Sequence, residues 1–458
     1  MTDVSTLLSL PKKVLRATAW GGLRVLAHAD AYRPLLSLYE RVVRQIDSEG
    51  RLFKPENAQP DELTVLALSF EQYRKDPQVL AGAPGVRVLV LPQRWQTRLL
   101  FQFFEPGHTW SKYMNPPPGS ALEKQKARYR RFLRGFLPML YARLGIDCVI
   151  GPHVHYYPDI DIGAVSNELG FPFVVLHREN MVLSTFLRDQ VWQRLGLLKP
   201  FEGSQIIVHN EVMRELMITG RFASSEQVSA LGCARMDDFV RACAQAVPPH
   251  NARKRILYFP FYTGWTFPEQ VRPFFNAAHA TLVRFAILHP EVDLHIKPKP
   301  KFESAWRKDF DRALQDAGLG VDPLPENVRI DSGGDAQDLI FKADVVSGLQ
   351  TTTLLEAGMA GRPVVIPYFK EVDAPEYNAR VMFHDSFDSF DVAHDPDEFV
   401  AMLNRALTER TLDELKREGV RRVFSRYVSD LEGRATSRYV EALRSAVANA
   451  SPVAGKRA

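Results

Sequence analysis

Short, almost wholly apolar runs recur along the chain, each closed by a turn residue and separated from the next by a stretch with helical spacing. In the first half the runs fall at residues 62–68, 86–91, 147–151, 173–176 and 204–208. In the second half they fall at 255–259, 292–297, 328–330, 344–346 and 364–367. Runs this short, apolar on both faces, are the pattern of strands buried in a parallel sheet rather than of a half-solvated antiparallel one. Helical spacing is found over 35–46, 121–144, 160–169, 185–197, 211–220, 267–288 and 397–447, with Gly135 and Pro138 expected to kink or interrupt the second of these. Residues 1–60 read as mostly helical. The alternation of strand and helix predicts an α/β fold of doubly wound parallel sheets. It is broken once, by Ala244–Lys254 with its two prolines, which reads as a linker. The boundaries expected from this are 1–245 for a first domain, 246–447 for a second and 448–458 for a flexible tail.

The most informative stretch is Ala343–Tyr368, read as strand, loop, helix, turn and strand. Thr353 and Glu356 have the spacing of a capping box, so a helix is expected to begin near Thr351–Thr353. In an open parallel sheet, ligands sit at the carboxyl ends of the strands, and a helix beginning there suits a phosphate. Ser347, Thr351, Thr352 and Thr353 would add hydroxyl donors, and Glu356 could accept from a ribose diol; the competing interpretation is a simple helix cap.

Composition narrows the class. The 458 residues are 45% hydrophobic and 24% charged, as in a globular protein. No apolar run reaches the length that crosses a bilayer, and the basic residues near the start follow the apolar ones, unlike a secretory signal. Three scattered cysteines, Cys148, Cys233 and Cys243, have no metal spacing and fit a reducing cytoplasm. The net charge of +4 does not point to nucleic acid. Lys124, Lys126, Arg128, Arg130, Arg131 and Arg134 are nevertheless concentrated in one helical region, which suits either a solvated face or an anionic leaflet.

Other strand ends carry chemistry-bearing residues. Lys297, Lys299 and Lys301 alternate with prolines after the 292–297 run and are expected on one face of an extended segment. His177, Arg178 and Glu179 follow the 173–176 run. His153 and His155 follow the 147–151 run, with Asp159 close behind. A metal held by these two histidines and Asp159 lacks the usual third-ligand spacing, and no metal site is expected. Arg235 ends the first domain, and Thr263-Gly264 lies in the loop after the 255–259 run.

On these residues the chain resembles the GT-B glycosyltransferases that build bacterial capsular, O-antigen and other surface polysaccharides. The resemblance rests on Ser347, Thr351–Thr353, Glu356-Ala357 and Gly361-Arg362-Pro363-Val364. It extends to Val208-His209-Asn210-Glu211, and to Phe424-Ser425-Arg426-Tyr427 with the following Asp430–Thr436. Many relatives carry a histidine where this chain has Lys299. The resemblance implies two Rossmann-like domains facing a cleft, with C-terminal helices crossing back. It implies metal-independent transfer, without a cofactor, from a CMP- or UDP-linked sugar to a lipid-linked or polymeric glycan on the cytoplasmic face of the inner membrane.

Under that resemblance the lysine loop, Ser347, the three threonines, Glu356 and Thr263-Gly264 would hold the donor. Arg178, His153, His155 and Arg235 would line the acceptor side. Glu179 would be the general base, with His177 or Asp159 as alternates. A UDP-N-acetylglucosamine 2-epimerase-like enzyme, a CDP-glycerol glycerophosphotransferase-like enzyme and a non-catalytic glycan-assembly subunit share enough of the pattern to stay open.

Overall fold

The protein is described by a computed structural model covering residues 22–104, 110–262, 269–320 and 323–450. The chain divides into two compact units. The first takes in residues 1–180, 192–235 and 434–458, and the second takes in 181–191 and 236–433. The division falls at Arg235/Met236 rather than at residue 245, and the chain passes between units more than once.

The first unit is built on an eight-stranded sheet: β1 (Arg44–Ile46), β2 (Leu52–Phe53), β3 (Leu63–Ala67), β4 (Val86–Val90), β5 (Cys148–Gly151), β6 (Phe173–Leu176), β7 (Gln205–Val208) and β8 (Val228–Ala230). Their order across the sheet is β2-β1-β4-β3-β5-β6-β7-β8. From β4 to β8 all neighbours are parallel, whereas β1 pairs antiparallel with both β4 and β2. Every residue of β3, β4, β5 and β6 is buried, which is why these strands read as almost wholly apolar runs, broken only by Thr64 and Arg87. The winding reverses at β3, which has β4 on one side and β5 on the other; ligands of such sheets sit outside the carboxyl ends at that reversal.

The last helix, Ala435–Asn449, belongs to this unit. Ala435, Tyr439 and Leu443 lie in one core with Leu63, Val65, Val86 and Val88. The Tyr439 hydroxyl donates to the Gly232 carbonyl at 2.8 Å.

The second unit holds β9 (Lys254–Phe259), β10 (Val292–Ile296), β11 (Val328–Ile330), β12 (Val345–Gly348), β13 (Val364–Pro367) and β14 (Asp391–Ala393). Their order is β11-β10-β9-β12-β13-β14, all parallel, with the reversal between β9 and β12. The two doubly wound α/β sheets expected from the apolar runs are both present.

Some expectations fail. The helix placed over 35–46 runs from Tyr32 to Val42, and Arg44–Ile46 leaves it to become an antiparallel strand between β4 and β2. The sequence of that strand, Arg-Gln-Ile, carries no apolar signal, because its pairing comes from backbone bonds to β4. The basic helix is not interrupted: it is continuous from Ala121 to Leu144 through Gly135 and Pro138. Phe136, Leu137, Leu140 and Tyr141 keep its apolar face buried across the proline, and burial of this size outweighs the ~3 kcal/mol a proline costs inside a helix. Gly135 has its own reason, since a Cβ there would lie 2.2 Å from the Tyr32 hydroxyl. The cations of this helix are split. Arg130 pairs with Asp161 and Glu202 at 2.6 Å each, and Arg134 pairs with Glu168 at 2.8 Å, whereas Lys124, Arg128 and Arg131 are exposed. No helix among the described residues is long and apolar enough to cross a membrane.

Candidate functional site

In the second unit, the reversal brings the end of β9 against the end of β12. Ser347 lies opposite Tyr258 and Gly348 opposite Phe259. The two backbones touch so closely that a Cβ on Gly348, whose φ is +156°, would lie 2.4 Å from the Phe259 carbonyl oxygen. Ser347 is fully buried, and its hydroxyl makes no hydrogen bond. Gln350 then takes a left-handed backbone, φ 59°. Its side chain explains how that is held: Nε2 donates to the Arg380 carbonyl at 3.1 Å, and Oε1 accepts from the Met382 N–H at 2.8 Å. The loop leaving β12 is thereby tied to the segment beyond β13.

The helix that follows is Thr353–Met359. The expected capping box does not form. Thr352 occupies the N-cap position with a helical backbone and no side-chain cap, and Thr351 bonds Thr353 through their hydroxyls at 2.8 Å. Glu356, largely buried, accepts from Gln337 Nε2 at 3.0 Å. A partner on a neighbouring helix has replaced the reciprocal bond the spacing suggests.

The lysines do not share a face. Lys297 is buried and donates from Nζ to the carbonyls of Ser332 and Gly333, both at 2.7 Å, so it ties the end of β10 to the loop after β11. Burial lowers its pKa, partly offset by Asp331 and Asp335. Lys299 and Lys301 are exposed, and the chain turns into a short 3-10 helix at Pro300–Phe302 instead of staying extended. The Lys299 N–H donates to the Tyr262 hydroxyl at 2.7 Å. Thr263 and Gly264 lie outside the described residues.

In the first unit the carboxyl ends of β5, β6 and β7 each deliver a histidine: His153, His177 and His209. The His153 ring lies 3.6 Å from that of His155 and 4.3 Å from that of His177, centroid to centroid. Burial drives the pKa of His177 down to about 3, with the neighbouring His155 adding to the effect, and it drives that of His155 down to about 4. His153 and His209 lie well below the ordinary imidazole range, again chiefly by burial. Glu179 is exposed and pairs with Arg178 at 2.9 Å. Arg178 also donates to the Gln72 carbonyl in the turn after β3. Arg235 lies 4.0 Å from Asp76.

Asp159 does not join the histidines. It is completely buried and accepts from the Ser69 hydroxyl at 2.6 Å and from Gln96 Nε2. Its carboxyl is bonded to the turn after β3 and to Gln96 rather than presented among the histidines. No group of three or more His, Cys, Asp or Glu among the described residues is placed to hold a metal ion.

Sequence reading missed three contributors. Ser69 sits in a left-handed backbone, φ 46°, at the reversal of the first sheet, where its N–H donates to Gln96 Oε1 at 2.6 Å. Asn180 accepts from the His209 N–H at 3.1 Å and donates to the His177 carbonyl, stitching the ends of β6 and β7. A uniform inspection of the residues after every apolar run would have found Ser69. Gln96 and Asn180 have no such sequence signal.

No protein-family model matches this sequence, and no curated protein matches it. Solved structures that align along most of the chain include UDP-GlcNAc 2-epimerase from Neisseria meningitidis bound to UDP-GlcNAc, at 14% identity over 84% of this chain and 99% of that one, with a TM-score of 0.44. A putative UDP-N-acetylglucosamine 2-epimerase from Listeria monocytogenes aligns at 12% identity over 87% and 100%, with a TM-score of 0.47. An α,α-trehalose-phosphate synthase (UDP-forming) from Burkholderia vietnamiensis aligns at 11% identity over 85% and 98%, with a TM-score of 0.42. At this distance the alignments assign neither substrate nor reaction.

Proposed function

We propose that the chain is a metal-independent glycosyltransferase that moves a sugar from a nucleotide sugar to a growing, lipid-linked surface glycan. The observation that carries the reading is the reversal of the second sheet. There a side-chain-free backbone at Gly348, the unbonded buried hydroxyl of Ser347 and the hydroxyls of Thr351 and Thr352 meet at the carboxyl ends of β9 and β12. An unbonded hydroxyl at such a reversal suits a nucleotide diphosphate. Lys299, exposed beside Tyr262, supplies a cation for the leaving group. Glu356 serves the ribose. In the first unit, Glu179 takes the proton of the acceptor hydroxyl and Arg178 orients it.

The test is thermal unfolding of the purified protein with CMP, CDP, UDP and GDP and their sugars. Ligand at 100-fold over its Kd stabilises by about 2.7 kcal/mol, which raises the midpoint by several degrees in a unit of this size. A shift with one nucleotide, lost in Ser347→Ala and Glu356→Gln, is expected. An unshifted midpoint with every nucleotide overturns the reading.

The lipid-linked acceptor places the enzyme at an anionic leaflet, and the exposed Lys124, Arg128 and Arg131 of the Ala121–Leu144 helix supply the charge, at about 1 kcal/mol each. Co-sedimentation with anionic but not zwitterionic vesicles is expected. It should fall sharply when all three are changed to glutamine, and equal pelleting of that variant would remove the helix from the contact.

A further inference from the structure

We infer that the carboxyl edge of the first sheet carries a binding site for a phosphoryl or pyrophosphoryl anion, built by His177, His209, Arg178 and Arg235. Two observations point to it independently.

The first is unspent hydrogen-bonding capacity. His177 and His209 are each 3% exposed, and the Nδ1 of each makes no hydrogen bond. A buried polar atom left without a partner costs about 1–3 kcal/mol, so two on adjacent strand ends call for a ligand or another explanation. The backbone at this edge is bonded. Asn180 takes the His209 N–H and the His177 carbonyl, and the His177 N–H goes to the Ile207 carbonyl. The idle atoms are therefore not the by-product of a loose loop.

The second is charge. The cations that act on these imidazoles are Arg178 on His153, His155 and His177, Arg194 on His153 and His155, and Arg235 and Arg74 on His209, while the Glu179 backbone accepts from the His177 ring. The carboxylates bonded into the cluster are Glu179 on Arg178 at 2.9 Å and Asp76 near Arg235 at 4.0 Å. Arg178 and Arg235 give this edge cationic groups, and a neutral imidazole beside them can donate its one N–H to an anion without repelling the arginines. Arginine forks together with imidazole N–H groups match the several oxygens of a phosphoryl group better than the two of a carboxylate. The same four histidines are not arranged to hold a metal, which removes the usual competing use of clustered imidazoles.

Under the proposed transfer, on which only this last assignment rests, the anion is the phosphate or pyrophosphate of the acceptor, held beside the Glu179 that takes its proton. The binding itself does not depend on transfer.

Titration with inorganic pyrophosphate, at constant ionic strength set by chloride, tests the site by thermal unfolding. A rise of ~3 °C is expected for the unmodified protein. It should disappear in His177→Gln and in Arg178→Gln and persist in Ser347→Ala, whose change lies in the second unit. Should His177→Gln not fold, Arg178→Gln decides alone. No rise, a rise that survives both first-unit changes, or one that Ser347→Ala abolishes each overturns the inference. A nucleotide shift that fails while the pyrophosphate shift holds would sink the transferase reading and leave the site standing. A larger shift with a short prenyl pyrophosphate than with pyrophosphate itself assigns a lipid headgroup, whereas equal shifts assign the free anion.

Discussion

Alanine at position 348 is expected to destabilise the second unit by about 3 kcal/mol or more, at the upper end of what one added methyl does in a packed site. The new Cβ would lie 2.4 Å from the Phe259 carbonyl oxygen and 3.3 Å from the Phe259 carbonyl carbon. A flexible side chain could swing away; a backbone carbonyl inside a ladder cannot. Gly348 pairs with Phe259 in the parallel register that also holds Val345, Val346 and Ser347 against β9, so relief means parting the two strands at the reversal. The positive φ adds strain for any residue with a side chain. Urea denaturation followed in the second unit measures the effect. A midpoint within error of the unmodified protein would mean that the strands separate freely, and the close approach would then lose its meaning as a ligand-shaped feature.

Asp159→Asn is expected to make the first unit more stable at pH 8, and by less than half as much at pH 5. Burial raises the Asp159 pKa to about 7, against the pull of its hydrogen bonds from Ser69 and Gln96. The unfolded chain releases this proton near the ordinary value of 3.8. Between roughly pH 4 and pH 7 the folded state therefore binds more protons than the unfolded one, and stability falls as pH rises through that window. Above it the cost is complete, about 4 kcal/mol by the difference of the two values. An asparagine cannot ionise and escapes that cost. Its Oδ1 can still accept from Ser69 and Gln96, as the carboxylate Oδ1 does, and its amide would occupy the place of Oδ2, which has no partner. Urea midpoints of the two proteins at pH 5 and pH 8 decide it. A variant weaker at both would show that the carboxylate is needed as an ion, which would return Asp159 to the list of candidate bases.

The two sheets were legible because burial on both faces leaves a direct trace. Phe173–Leu176 and Val364–Pro367 are apolar throughout and buried at every residue. The short antiparallel strands beyond β4 leave no such trace. Arg44–Ile46 and Leu52–Phe53 are held by backbone bonds to a neighbour that the local sequence does not encode. Candidate residues at strand ends were legible for the same reason as the strands. Their partners were not: Glu356 has the spacing of a cap but bonds Gln337, and Lys297 follows a strand like a ligand-facing lysine but is bonded to the Ser332 and Gly333 carbonyls.

By itself, the sequence determined two α/β units with buried parallel strands and the strand ends where Ser347, His177 and Glu179 sit, because hydrophobic period and turn chemistry are local. Only the tertiary structure decided which polar groups are already bonded and which are left over. That choice depends on residues far apart in the chain: Ser69 meets Asp159 across the reversal of the first sheet, and Gln350 meets Met382 beyond the next strand of the second. The idle Nδ1 atoms of His177 and His209 are visible only once every other bond at that edge has been accounted for.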